Sequence, residues 1–147
     1  MKAVIQRVIS ASVRVDHEIK GQIGPGLAVL LGVGEEDQYE DLVYMLDKLP
    51  GLRIFGDESG KMNLSLTDVG GAVLVVSQFT LYADTSRGRR PGYSRAAKPD
   101  KAKQFYDDFI DGLRKKGIPT ESGVFQAHME VELVNDGPVT IILESKT

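Results

Sequence analysis

The sequence has 147 residues, 41% of them hydrophobic and 27% charged, with a formal charge of −3 at pH 7. That length fits one domain, large enough to bury about 70% of the surface its unfolded chain exposes, and its apolar content excludes disorder over the bulk of the chain. There is no cysteine and there are only two histidines, His17 and His128, which excludes disulfides, thiolate chemistry and Cys-built zinc sites.

The first elements read as strands. AVIQRVI (3–9) and SVRVD (12–16) alternate apolar and polar residues and are rich in β-branched side chains. Asp16-His17-Glu18 is expected to turn the chain into a strand over EIKGQIG (18–24), with His17 exposed in the turn. Gly24-Pro25-Gly26 punctuates the next run, LAVLLGV (27–33), which is apolar on both faces and so predicted to be central. Gly32-Val33-Gly34 follows a strand as a dinucleotide loop would, but the next residues, Glu35, Glu36 and Asp37, would repel a phosphate.

The period then changes. Tyr39, Leu42, Val43, Leu46 and Leu49 fall at helical spacing, with Asp37 expected as N-cap, Glu40 at N3 and Pro50-Gly51 as the stop. LRIF (52–55) is predicted as a short strand, GDESGK (56–61) as a turn and AVLVVSQF (72–79) as a second central strand. Residues 86–98 carry Arg87, Arg89, Arg90, Arg95 and Lys98 and no acid. This +5 segment leaves −8 for the rest of the chain, and a cationic patch on an acidic protein points to a specific anionic partner, the ordinary alternative being a solvated loop. Pro99 then suits the first turn of a second helix with an apolar stripe of Ala102, Phe105, Tyr106, Phe109, Ile110 and Leu113. Arg114, Lys115 and Lys116 complement its C-terminal dipole, and Gly117 stops it. Strands are predicted near 124–134 and 138–144. Taken alone, Asn135-Asp136-Gly137-Pro138-Val139-Thr140 is a hairpin turn between them, with a trans peptide at Gly137-Pro138 as the default.

The pattern is α+β: a single domain over 1–147, with a β-rich barrel-like sheet packed with two main helices. No apolar run approaches the roughly 18 residues of a membrane helix and the N-terminus lacks a signal-peptide core, so no membrane partner and a cytoplasmic location are expected. Three segments carry possible chemistry. Ser77-Gln78-Phe79-Thr80 ends a buried strand, where hydroxyls, an amide and backbone N–H groups can gather around an oxyanion, or simply satisfy one another. The other two are Asn135–Thr140 and the cationic loop. His128 lies in a strand-like segment and reads as structural.

Together these segments are more specific. GKMNLSL, VSQFTLYAD, GRRP, Phe125-Gln126-Ala127-His128-Met129 and LVNDGPVT occur in this order after an opening with Gln6-Arg7-Val8 and Ala11-Ser12-Val13. Over essentially its whole length the chain resembles the D-aminoacyl-tRNA deacylase family, also called D-tyrosyl-tRNA deacylase. The Gln at 126 and His at 128 fall where that family varies. The resemblance implies hydrolysis of the ester joining a D-amino acid to the 3′-terminal adenosine of tRNA. It also implies action on glycine mischarged on tRNA-Ala. It implies a homodimer with active sites at the subunit interface, where a cis Gly137-Pro138 peptide of one subunit enters the site of the other and rejects L-residues with main-chain atoms. Ser77, Gln78, Phe79 and Thr80 would be the catalytic residues. Phe79 and Met129 would flank the adenine or ribose, Arg7 would brace the Gly-Pro turn, and Arg87, Arg89, Arg90 and Arg95 would meet tRNA phosphates. No cofactor or metal is implied. Two mechanisms are compatible. Either Thr80 Oγ attacks the ester, or N–H groups around Phe79 and Thr80 form an oxyanion hole while a ribose hydroxyl of the tRNA activates water. The second is preferred because no base for Thr80 is evident. The principal alternative is a small RNA-binding module without catalysis.

Overall fold

A computed structural model describes residues 1–146. Strand β1, Lys2–Val15, is continuous where two strands were expected. The two alternating runs join because β8 (Glu130–Glu144) holds the full length of one edge, from Lys2 opposite Glu144 to Arg14 opposite Glu130. On its other edge, β1 pairs with β2 (Glu18–Ile23) through a tight turn and with β3 (Gly26–Gly32) through its first half. The turn residues Asp16 and His17 take positive φ values of 51° and 68°, the conformation that matches strand twist in a two-residue hairpin.

β3 lies parallel to β6 (Ala72–Ser77), and β6 lies parallel to β7 (Thr120–Ser122), a short strand the sequence did not signal. The order is β2-β1-β3-β6-β7 with β8 on β1. The sheet curls into a nearly closed barrel: β2 returns so close to β7 that a Cβ on Gly21 would lie 2.7 Å from the Ser122 carbonyl oxygen. Val8, Val13, Ala28, Leu74 and Val76 pack together on one face of the curled sheet. On the other, Ile5, Leu27, Val29, Val73 and Val75 meet the helices. The two central strands are thus apolar on both faces because both faces are covered.

Helix α1 spans Tyr39–Gly51, with a one-residue shift in its cap. Gln38, not Asp37, is the N-cap, and its N–H donates to Asp41 Oδ2 at 2.7 Å. Asp37 is buried instead, accepting from Gly34 N–H at 2.6 Å and from the Met1 ammonium at 2.8 Å. Burial works against ionisation of Asp41, but the Gln38 N–H, Ser145 and Lys146 outweigh it and hold the carboxyl below its usual range. A hairpin of β4 (Phe55–Gly56) and β5 (Met62–Leu64) follows, shifted beyond the expected 52–55. Then comes a single turn, α2 (Leu66–Val69), capped by Ser65.

Helix α3, Pro99–Lys115, buries Ala102, Tyr106, Phe109, Ile110 and Leu113, and Gly117 beyond it takes φ 80°. The segment 124–129 is irregular rather than strand. Asn135–Thr140 is not a hairpin turn. Both halves of β8 run along β1 in the same direction, with Asn135 opposite Val8 and Thr140 opposite Gln6, so residues 136–139 loop out around Arg7. The Gly137–Pro138 peptide is cis. Among the described residues no helix is long and apolar enough to cross a membrane.

Candidate active site

β6 ends at Ser77 and the chain enters a 3-10 turn over Phe79–Tyr82, so the expected strand stops early. The glycines at and just after the end of β3 leave room for that turn. Gln78 N–H still donates to Leu31 O at 2.8 Å. A Cβ on Gly32 would then lie 3.1 Å from the Gln78 carbonyl oxygen, and one on Gly34 would lie 2.9 Å from the Tyr82 ring. Gly32-Val33-Gly34, unsuited to a nucleotide, makes room for this turn.

The first N–H groups of a helical turn have no acceptor inside it. Leu81 and Ala83 donate to Gln78 O and Thr80 O, whereas the N–H groups of Phe79 and Thr80 have no protein acceptor among the described residues. The Thr80 hydroxyl accepts a hydrogen bond from the Gln78 side-chain amide. Phe79 is 54% exposed, and its ring meets Tyr93 edge to face at 4.9 Å between centroids.

A cavity of about 930 Å³ opens beside this turn. Ser77, Gln78 and Phe79 line it, as does Met129; Thr80 does not. The remaining walls include Tyr93, which the sequence did not single out, and Lys98, Phe125 and Gln126, which it placed in the cationic segment and in a family motif without giving them a site role. His128, read as structural, lines the cavity and is exposed. It does so because Gln126 takes φ 65° and breaks the strand that alternation suggested. Tyr106 supports this wall. Its ring lies 5.9 Å from that of Phe125, its hydroxyl donates to Val75 O at 2.9 Å, and burial pushes its pKa up to about 12.

Gly137 and Pro138 do not line this cavity; both are exposed. Their loop is tied from two sides. Asn135 Oδ1 accepts from Val139 N–H at 2.8 Å, and Asn135 Nδ2 donates to Val139 O at 3.2 Å and to Thr140 Oγ1 at 3.1 Å. Arg7 donates from Nε to Asp136 O at 2.9 Å and from Nη1 to Ile54 O at 2.7 Å. Glycine is required at 137, which takes φ 149°: a Cβ there would lie 2.7 Å from Val139 N.

The cationic segment is also shaped. Asp84 and Gly92 exchange backbone hydrogen bonds of 2.8 and 2.9 Å, closing a loop that holds Arg87, Arg89 and Arg90 exposed to solvent. Hydrogen bonds from Ser86, its side chain first, hold the Asp84 carboxyl below its usual range. Arg95 lies apart, at a second cavity of about 420 Å³ that also includes Asp37 and Tyr82. There burial, followed by the Asp37 charge, pushes the Tyr82 phenol well up. Among the described residues, no three His, Asp or Glu side chains are grouped to hold a metal ion.

Two backbone donors thus stand next to a largely apolar cavity, an arrangement that can stabilise a developing oxyanion. Comparison with known proteins agrees with the fold and narrows the chemistry. Residues 4–144 match the family described as D-Tyr-tRNA(Tyr) deacylase. A D-aminoacyl-tRNA deacylase of Koribacter versatilis is 58% identical over 146 residues, covering 99% of this chain and 98% of that protein. One of Desulforamulus reducens is 56% identical with the same coverage. Among solved structures, a c-Myc DNA unwinding element binding protein superposes with a TM-score of 0.95 at 45% identity, covering all of both chains. A probable eukaryotic D-amino acid tRNA deacylase superposes with a TM-score of 0.84 over 97% of this chain and 98% of its own; at 17% identity it speaks for the fold alone.

Proposed function

The chain belongs to the D-Tyr-tRNA(Tyr) deacylase family and is a D-aminoacyl-tRNA deacylase, and we propose that it cleaves the ester to the 3′-terminal adenosine with backbone groups and the substrate's own hydroxyl. The observation that carries this reading is the pair of N–H groups at Phe79 and Thr80, beside the cavity and without a protein acceptor among the described residues. Attack on the ester carbonyl gathers negative charge on its oxygen, and two fixed donors stabilise that charge without reorganising. Water attacks, oriented by the neighbouring ribose hydroxyl. The bond from the carbonyl carbon to the ribose oxygen breaks, that oxygen takes a proton, and free tRNA and the D-amino acid leave. The Thr80 hydroxyl is not the nucleophile here, because its partner, the Gln78 amide, is no base. Ser77 and Gln78 shape the pocket, and Met129 flanks the adenosine.

Chirality is read by the Gly137–Pro138 loop of a second copy in a homodimer. Two features support this: the loop is exposed and off its own chain's cavity, and β1 and β8 carry Ile9, Val134 and Ile142 at 54%, 50% and 70% exposure, apolar surface suited to a second copy. A main-chain turn against the α-carbon admits a D-residue or glycine and drives an L side chain into backbone. The same filter admits glycine mischarged on tRNA-Ala. Arg87, Arg89 and Arg90 hold acceptor-stem phosphates without reading sequence, Arg95 meets the tRNA from its separate position at the second cavity, and Arg7 braces the loop. The reaction requires no cofactor and belongs to cytoplasmic translation quality control.

Time courses on D-Tyr-tRNA, L-Tyr-tRNA and D-tyrosine ethyl ester test this. Rapid loss of the first alone is expected. Binding of both tRNAs without hydrolysis would mark an RNA-binding module instead, and rapid turnover of the ethyl ester would mark a Thr80-dependent esterase.

A further inference from the structure

We propose that Lys98 binds the phosphodiester immediately preceding the terminal adenosine, the substrate anion nearest the scissile ester. The proposal rests on the deacylase reading, since it presumes that the ester lies against Phe79 and Thr80. In that pose the last phosphate sits one ribose away from the reacting carbonyl, at the cavity. Lys98 is the one lysine or arginine in the cavity's lining among the described residues. Arg87, Arg89 and Arg90 stand on the loop closed by Asp84 and Gly92, outside that lining, and on the proposed function serve phosphates farther along the acceptor strand.

The ammonium of Lys98 is free to take this role. The side chain is exposed and pairs with no carboxylate among the described residues. Its neighbours on α3 are engaged: Lys101 Nζ donates to Glu35 O at 2.6 Å and Lys103 Nζ to Asp107 Oδ2 at 2.6 Å. The Lys98 backbone, by contrast, is fixed. Its N–H donates to Glu35 Oε2 at 3.3 Å, its carbonyl accepts from Ala102 N–H at 2.9 Å, and Pro99 follows it at the start of α3. A flexible stem ending in a point charge thus leaves from a rigid base at the cavity, as suits a phosphate held by charge rather than by a two-pronged fit.

The test compares two forms of D-Tyr-tRNA that differ in one linkage. The bond before the terminal adenosine is either the normal phosphodiester or an uncharged methylphosphonate. For the wild type, the methylphosphonate is expected to raise KM about tenfold, the size of one charge-assisted hydrogen bond at an exposed site. In Lys98→Ala the ratio of the two KM values falls to near one, and Lys98→Arg keeps most of it. A wild-type ratio of one, or a Lys98→Ala ratio equal to that of the wild type, overturns the proposal, including the case in which the variant weakens both substrates alike. A wild type inert on normal D-Tyr-tRNA overturns the deacylase reading itself, and this proposal with it.

Discussion

The two backbone segments on which the proposed reaction depends are built in opposite ways. At the end of β6, the change from strand to 3-10 turn leaves the N–H groups of Phe79 and Thr80 open beside the cavity. In the loop between Asn135 and Thr140, an amide side chain and a guanidinium tie the backbone down. A group that must meet charge developing on a substrate has to be left unpaired by the fold. A group that must refuse a side chain has to be unable to yield. On the proposed mechanism, what each segment contributes to ester hydrolysis is main chain, and the side chains decide only whether that main chain is open or closed.

The largest expected effect strikes the open segment. Replacing the Thr80 amide with a backbone ester deletes one N–H and keeps the side chain. Single-turnover rates on D-Tyr-tRNA should then fall by about 100-fold or more, the cost of one oxyanion donor. Thr80→Ala, which deletes the hydroxyl and keeps the N–H, should retain most of the wild-type rate. The opposite pattern would return the Thr80 hydroxyl to the role of nucleophile and erase the contrast between the segments.

The open segment was largely legible in the sequence, the closed one only in part. LAVLLGV and AVLVVSQF announce central strands because both faces are apolar, and small polar residues at the end of the second mark where a buried strand reaches a cleft. The stripe on α3 is equally plain, since its period needs no knowledge of the partner. Asn135–Thr140, by contrast, has the composition of a hairpin turn, and a turn and a loop-out use the same residues. Only the pairing of β8 with β1 on both sides of Arg7 decides between them, and that is a contact across more than a hundred residues. The shifted cap of α1 is also partly a matter of tertiary contact: Asp37 is claimed by the Gly34 N–H, three residues away, and by the ammonium of Met1, the residue before β1. Tyr93, Lys98 and His128 were visible as an aromatic, a charge and a strand residue. Their convergence on one cavity depends on how the loop 83–98 and the irregular segment 124–129 fold back, which no local pattern encodes.

The next effect strikes the closed segment. Asn135→Ala removes three hydrogen bonds and leaves the Val139 N–H without its acceptor. Stability in urea should fall by about 1–3 kcal/mol. The freed loop should also admit L-substrates more readily, raising the L-to-D ratio of kcat/KM about tenfold, equivalent to 1.4 kcal/mol of lost discrimination. The rate on D-Tyr-tRNA should change much less. A loss of stability with an unchanged L-to-D ratio would show that the loop is structural and that chirality is read elsewhere.

The smallest effect is the most discriminating. Arg7→Lys keeps the positive charge beside Asp136, whose carboxylate lies 3.6 Å from Arg7 Nε, but a single ammonium cannot replace a rigid fork that reaches Asp136 O and Ile54 O at once. One hydrogen bond is lost, worth about 1 kcal/mol, or roughly a fivefold change in an equilibrium. If the loop is closed so that it can reject, that loss should appear in the L-to-D ratio, in the same direction as Asn135→Ala and smaller, with kcat on D-Tyr-tRNA nearly constant. If kcat on D-Tyr-tRNA falls instead and the ratio holds, Arg7 acts on the reacting ester, and the division between an open catalytic segment and a closed selective one is wrong. Because the substitution leaves charge and bulk nearly unchanged, neither outcome is readily ascribed to unfolding or to weaker attraction of the tRNA.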